Sequence, residues 1–305
     1  MSLNIVADAL FDFVAHGNHS TYLTTPSARE IRRKGRDGML DVFRNAIRTE
    51  ADIHYSGNLS IEEIKRLVVQ YLNPENIVEE AGNPVMLPLQ QYNRPIVFVI
   101  DMPKATQSII HGYTFTPTPI DEDFINASRI FNAYFGGGMS SLMFQEIREF
   151  RSFAYWAASQ YVRPGMVNKE NGSYLKTQLS TQSDKTIEAL QVLDSLLKDM
   201  PIFPEKMADT KQFLRNNINN SYPSFRNISG QVASQKRQGF NEDVNAILLD
   251  ALDEVDMDTI VDFYLRNVQE NVTCYIIVGN LKQINLRQLE QFGEIKKLKV
   301  KDIVR

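Results

Sequence analysis

The chain has 305 residues, 43% of them hydrophobic and 23% charged, with a net charge of −4. That is an ordinary globular balance with room for about two domains. It carries no basic footprint for a nucleic-acid partner and no run near the ~20 apolar residues of a membrane span. A single cysteine, Cys274, excludes an internal disulfide framework, and its apolar neighbours predict a buried thiol.

In chain order, the first patterned stretch is basic. Residues 29–36 hold five Lys or Arg, but Glu30, Ile31 and Gly35 interrupt them, so they read as a solvated helix face. Residues 40–59 read LDVFRNAIRTEADIHYSGNL and residues 261–281 read VDFYLRNVQENVTCYIIVGNL. Each is an apolar-striped helix, an Arg-Asn pair, then a β-rich segment ending in Gly-Asn-Leu. Helical patterns follow at 61–72 and 284–292. Two such units make a weak internal repeat. Between them, Gly82, Pro84, Pro88 and Pro95 mark a linker.

Strands are predicted at 96–100 and 108–115, then a helix over 121–135 with acidic residues in its first turn. Gly136, Gly137 and Gly138 release that helix, and Ser140 and Ser141 offer oxygens to cap the next. Met143, Ile147 and Phe150 form its apolar stripe; Phe144, Arg148 and Arg151 form a mixed one. Tyr155 lies seven residues beyond Arg148. Strands follow at 155–162 and 173–181, the second rich in hydroxyls and half exposed. Ser183 is placed to cap a helix carrying Ile187, Leu190, Leu193 and Leu197. Pro204 opens another, with Met207, Leu214 and Ile218 inward. Further helices at 223–237, 244–252 and 257–266 precede a closing strand. Strands first, then helices, then a returning strand define an α+β layout.

Chemistry is sparse. A helical zinc motif needs two imidazoles one turn apart with a Glu between them. The only histidines are His16, His19, His54 and His111, and none stands in that pattern; His54 and His111 fall in predicted strands. No Gly-x-Ser-x-Gly elbow surrounds a serine. The glycine run lacks the Lys-Ser/Thr of a phosphate loop. Asp121, Asp123, Asp256 and Asp258 read as helix N-terminal charges.

The stretch from Phe135 through Gly136-Gly137-Gly138, Arg148 and Arg151 to Ala154 and Tyr155 resembles the zinc peptidase family of pitrilysin, insulin-degrading enzyme and the mitochondrial processing peptidase. The similarity runs from about residue 28 to the end and is strongest over 131–165. It lies in the half of that family that carries no metal. The resemblance implies a mixed, largely antiparallel sheet flanked by helices. It also implies that residues 1–90 are the closing part of a preceding peptidase-like domain plus linker, and that 91–305 are a complete metal-free one. Zinc would sit on another segment of a longer bacterial-type enzyme, with no cofactor in this chain. Arg148 would hold a substrate carbonyl, Tyr155 would bond the oxyanion, and the three glycines would form a loop or hinge. Read from the residues alone, a helix-surface Arg and a strand Tyr can equally be packing groups. Phe150 and Phe153 make the connecting loop more apolar than the family's usual one.

The partners so implied are the zinc-bearing N-terminal half, in the same protein or a separate subunit, and unstructured peptides. The alternatives are a metal-free subunit of a two-chain peptidase and a catalytically inert scaffold. An edge at 174–181 is expected to pair with extended substrate, and the bacterial envelope or periplasm is favoured over the cytoplasm.

Overall fold

Runs of β-branched and aromatic residues bounded by Pro and Gly form six strands of one sheet. They are β1 Ile96–Asp101, β2 Gln107–Thr116, β3 Ala154–Val162, β4 Ser173–Gln182, β5 Thr273–Gly279 and β6 Glu294–Leu298. Their spatial order is β3-β4-β2-β5-β1-β6. The β3–β4, β4–β2 and β2–β5 pairs are antiparallel, whereas β1 runs parallel to both β5 and β6. The computed structural model describes residues 1–49, 51–72, 86–149, 151 and 154–305, with Tyr155 given by its backbone alone.

The helices are α1 Leu3–His16, α2 Thr21–Thr24, α3 Ala28–Ala46, α4 Ile61–Leu72, α5 Glu122–Phe135, α6 Thr186–Lys198, α7 Met207–Asn220, α8 Ile228–Arg237, α9 Val244–Ala251, α10 Met257–Tyr264, α11 Leu286–Leu289 and α12 Val300–Ile303. Strand periodicity decides which side chains meet them. Val97, Val99, Ile110, Leu175, Leu179 and Ile277 point into a large core with α5, α6, α7 and α10. The alternate residues Phe98, Ile100, Ile109, Tyr113, Ile276 and Val278 face the apolar side of α1, where Val6, Leu10, Phe11 and Val14 are buried. Helix starts follow their caps. The Asp121 carboxylate accepts from the Phe124 amide at 2.7 Å and the Asp256 carboxylate from the Thr259 amide at 3.1 Å, as their reading as N-terminal charges requires.

Two compact units result. One comprises Met1–Thr24, Pro88–Tyr222 and Gln235–Arg305 and holds the sheet; the other comprises Thr25–Leu87 and Pro223–Ser234. The first therefore takes in α1 as a cover for the sheet. In the second, neither α3 nor α4 has a buried residue.

Several expectations need correction. Residues 51–56, with His54 among them, form no strand, although their repeat counterparts in β5 lie mid-sheet. A strand needs a ladder partner for its N–H and C=O groups, and the second unit has no strand among its described residues. The 174–181 segment is not an edge, because β4 hydrogen-bonds β2 on one side and β3 on the other. Ser183 does not cap a helix. It begins a single 3₁₀ turn, and α6 starts at Thr186, whose hydroxyl donates to the Ser183 carbonyl at 2.8 Å. The helix expected from residue 223 begins at Ile228, and β6 was not anticipated.

The repeat itself differs by one residue, and the extra one falls where α10 continues as a π-helical stretch, Leu265–Gln269. A π turn accommodates an added residue while the helix on either side keeps its face.

Candidate functional site

The site is built outward from the end of α5. The Gly136 amide donates to the Asn132 carbonyl at 3.1 Å, and the Gly136 carbonyl accepts from the Ser159 amide of β3 at 3.4 Å. A Cβ on Gly136 would lie 2.0 Å from the Ser159 hydroxyl, so no other residue fits there. One turn back, Asn132 does the same work with its side chain. Its Oδ1 accepts from the Tyr161 amide at 2.6 Å, and its Nδ2 donates to the Tyr161 carbonyl at 3.2 Å. The carboxamide thus stands in for a neighbouring strand along the outer side of β3. Gly138, with φ +155°, lies against Phe213 of α7. The expected loop glycines therefore sit in a closely packed turn between β3 and α7.

The Ser141 hydroxyl donates to the Gly138 carbonyl at 2.6 Å instead of accepting from a helix amide, which corrects the expected cap. Leu142, Met143 and Ile147 are fully buried. From Phe144 to Glu149 the backbone is π-helical and packs against β3. The Arg148 guanidinium lies 4.7 Å from the centre of the Phe144 ring, and its Nε is 3.6 Å from the Glu149 carboxylate. Its side chain is 39% exposed. Arg151 donates to the Glu146 carbonyl at 2.7 Å and to the Glu146 carboxylate, so it is an ion-pair residue.

Phe150 and Phe153 lie outside the described residues. Beyond them, β3 opens on a bulge: Ala154 stands opposite Thr181 and Trp156 opposite Ser180, leaving Tyr155 as the additional residue. Bulges beside sites serve to re-aim a strand. Arg148 and Tyr155 therefore flank one short connection, between a π turn and the bulged start of an edge strand. Sequence reasoning singled out both residues as candidates. It missed Asn132 and Gln178, and it missed Trp156 and Gln160, whose outward direction depends on that bulge.

Among the described residues no group of three His, Cys, Asp or Glu is placed to hold a metal ion. His16 Nδ1 lies 3.2 Å from the Pro88 carbonyl, and His19 and His54 are exposed. His111, in β2, is fully buried beside Phe11, with ring centroids 5.5 Å apart. Among the described residues neither of its nitrogens has a well-formed hydrogen bond, and burial, with Lys176 nearby, outweighs a weak contact with the Thr177 backbone and pushes its pKa down to about 3. Burial pushes the Cys274 thiol up to about 11, which makes it a core group and not a nucleophile.

A six-stranded mixed sheet with a helical layer and a packed glycine turn define an α+β fold, and no metal cluster stands among its described residues. A sequence model described as "Peptidase M16 inactive domain" matches residues 51–206, just over half of the chain. The chain belongs to this family. Among solved structures, it is similar to a peptidase M16 inactive domain from Pseudomonas fluorescens, at 15% identity and TM-score 0.58, covering 90% of this chain and 64% of that one. A conserved protein from Enterococcus faecalis gives 13% identity and TM-score 0.69, covering 92% and 64%. The periplasmic protease PqqL from Escherichia coli gives 13% and 0.58, covering 90% and 32%. At these identities the likeness is one of fold. The chain spans less than two thirds of the length of each. No curated protein sequence is significantly similar to it.

Proposed function

We propose that this chain is the metal-free part of a zinc-dependent metalloendopeptidase. It forms a wall of a peptide-enclosing chamber and lends Arg148 and Tyr155 to a zinc site on another polypeptide segment or subunit. In this reading residues 1–90 close a preceding peptidase-like domain and its linker, 91–305 form a complete one, and α1 crosses to cover the sheet of the second. The observation that carries the assignment is the position of the pair. Arg148 is partly exposed on a π turn, and Tyr155 is the extra residue of the bulge seven positions on.

An Arg guanidinium stays charged and orients a substrate carbonyl through its fixed fork. A phenol aimed at the developing oxyanion supplies electrostatic stabilisation, and losing one such donor costs on the order of 100-fold in rate. Substrates would be unstructured peptides that fit a closed chamber. The periplasmic protease PqqL, to which the fold is similar, favours a bacterial envelope setting. No helix among the described residues is long and apolar enough to cross a membrane.

The test is cleavage of a quenched fluorescent peptide by this chain, alone and mixed with a zinc-bearing partner segment. Activity is expected in the mixture only, with Tyr155→Phe lowering kcat about 100-fold and Arg148→Ala raising KM. Chelator-sensitive activity from the chain alone would overturn the metal-free assignment. A second reading, a catalytically inert scaffold, draws on the Arg148 contacts with Phe144 and Glu149, which are also those of a packing residue. It predicts an inactive mixture in which the two pieces nonetheless bind.

A further inference from the structure

Helix α1 covers only part of its sheet face. It packs on β2 and β5, and its cover reaches Lys176 of β4, whose ammonium is 4.4 Å from the Phe11 ring centre and 3.8 Å from the Asp8 carboxylate. Next to that boundary the same face of β3 and β4 presents Trp156, Ala158, Gln160, Gln178 and Ser180. Trp156 stands opposite Ser180, Ala158 opposite Gln178, and Gln160 opposite Lys176. Trp156 is the chain's only tryptophan, and it is 53% exposed. The Ser180 hydroxyl makes one long bond to Gln107, at 3.4 Å. The Trp156 indole N–H and the carboxamides of Gln160 and Gln178 have no hydrogen-bond partner among the described residues.

This shelf is uncharged on the surface of a protein whose residues are 23% charged. Among the described residues the cation that flanks it on β4, Lys176, is held by Asp8. A charged occupant would lose hydration without gaining a counter-charge. An uncharged one pays no such penalty. Each Gln side chain carries a donor and an acceptor in one plane, the same pair that a peptide bond presents. Successive outward residues of a strand recur at roughly 6.8 Å, which is also the same-side repeat of an extended peptide. Ala158 leaves a step beside the flat indole into which a bulky apolar side chain fits. Main-chain pairing at the edge is blocked where Asn132 and Gly136 already bond the outward groups of Tyr161 and Ser159. Contact therefore falls to the side chains of the face.

We propose that this shelf docks an extended, uncharged peptide segment carrying an aromatic or bulky aliphatic residue. The indole packs against that residue, and Gln160 and Gln178 bond the peptide's backbone. The proposal rests on the peptidase reading for its occupant being substrate, since the shelf begins one residue after Tyr155. It would make these side chains the selectors of neutral, apolar-centred sequences.

The lone tryptophan provides the measurement. The whole chain, without any zinc-bearing partner, is titrated by intrinsic fluorescence with an eight-residue neutral peptide of Ala, Ser and Gln around a central Leu-Phe pair. Matched peptides with three Asp or three Lys and a neutral oligosaccharide are run beside it. A saturable blue shift with the neutral peptide is expected, at least about tenfold weaker with the charged ones. The double substitution Gln160→Ala/Gln178→Ala should weaken it by about tenfold, as for two lost hydrogen bonds. Ala158→Asp, on a surface that tolerates it, should abolish it with far-ultraviolet dichroism unchanged. No shift, equal shifts with charged peptides, or a shift with the oligosaccharide alone would overturn the proposal. Because no turnover is needed, an inactive mixture in the cleavage assay leaves this result standing, and the converse holds too.

Discussion

At the residue scale, Asn132 is the most consequential side chain that carries no chemistry. Its carboxamide satisfies both main-chain groups of Tyr161 on an edge strand. Asn132→Ala should lower the unfolding free energy by about 1–3 kcal/mol, the usual cost of orphaned polar groups, read as a fall in the urea midpoint with unchanged slope. His111 gives a pH signature. Its folded pKa, about 3, lies below the ordinary imidazole value of 6.5. The unfolded chain therefore binds the proton more readily, and the stabilisation is complete above pH ~6.5 and is lost as the pH falls toward 3. The groups facing it are Phe11 and Lys176, with Asp8 on the far side of that lysine. The loss can reach about 5 kcal/mol, and His111→Phe should flatten stability over that range. A stability–pH curve that steepens in the variant would sink the argument.

At the element scale, local pattern was legible wherever it needed no distant partner. The strands at β1, β2 and β4 and the helix at 61–72 follow apolar periodicity within a residue or so. The failures share one cause. Residues 51–56 have strand composition but no strand to pair with among the described residues of their unit, β4 has an edge-like hydroxyl pattern but lies inside, and β6 reads as charged because an edge strand carries lysines. Arg148 and Tyr155 were nominated through the surrounding motif, whereas the outward direction of Trp156 depends on a bulge that no spacing rule announces. Because α3 and α4 bury no residue, native-state hydrogen exchange should show their amides opening at low cost. Those of β2 and β5 should exchange only near global unfolding. Equal protection would mean that α3 and α4 are covered in solution.

At the scale of the whole molecule, the sheet is held from both sides by segments distant in sequence. The helical layer follows residue 121, while the opposite cover is α1, from the first sixteen residues. Removing residues 1–24 would expose Ile109, Tyr113, Ile276 and Val278 together, a patch large enough to aggregate. The shortened chain should be insoluble or unfold without cooperativity, and a soluble product with the parent's sharp thermal transition would refute that role.

The position of α1 also sets a schedule for biosynthesis. Helix α1 is among the earliest segments of this sequence to leave the ribosome, yet part of its landing surface is β5, about 250 residues later. β1 likewise waits for both of its neighbours, β5 and β6. At ~5–20 residues per second that delay is on the order of 10–50 seconds. For that interval the apolar face of Val6, Leu10 and Val14 lacks the part of its landing surface that β5 supplies, which makes it a natural hold point for a nascent-chain chaperone.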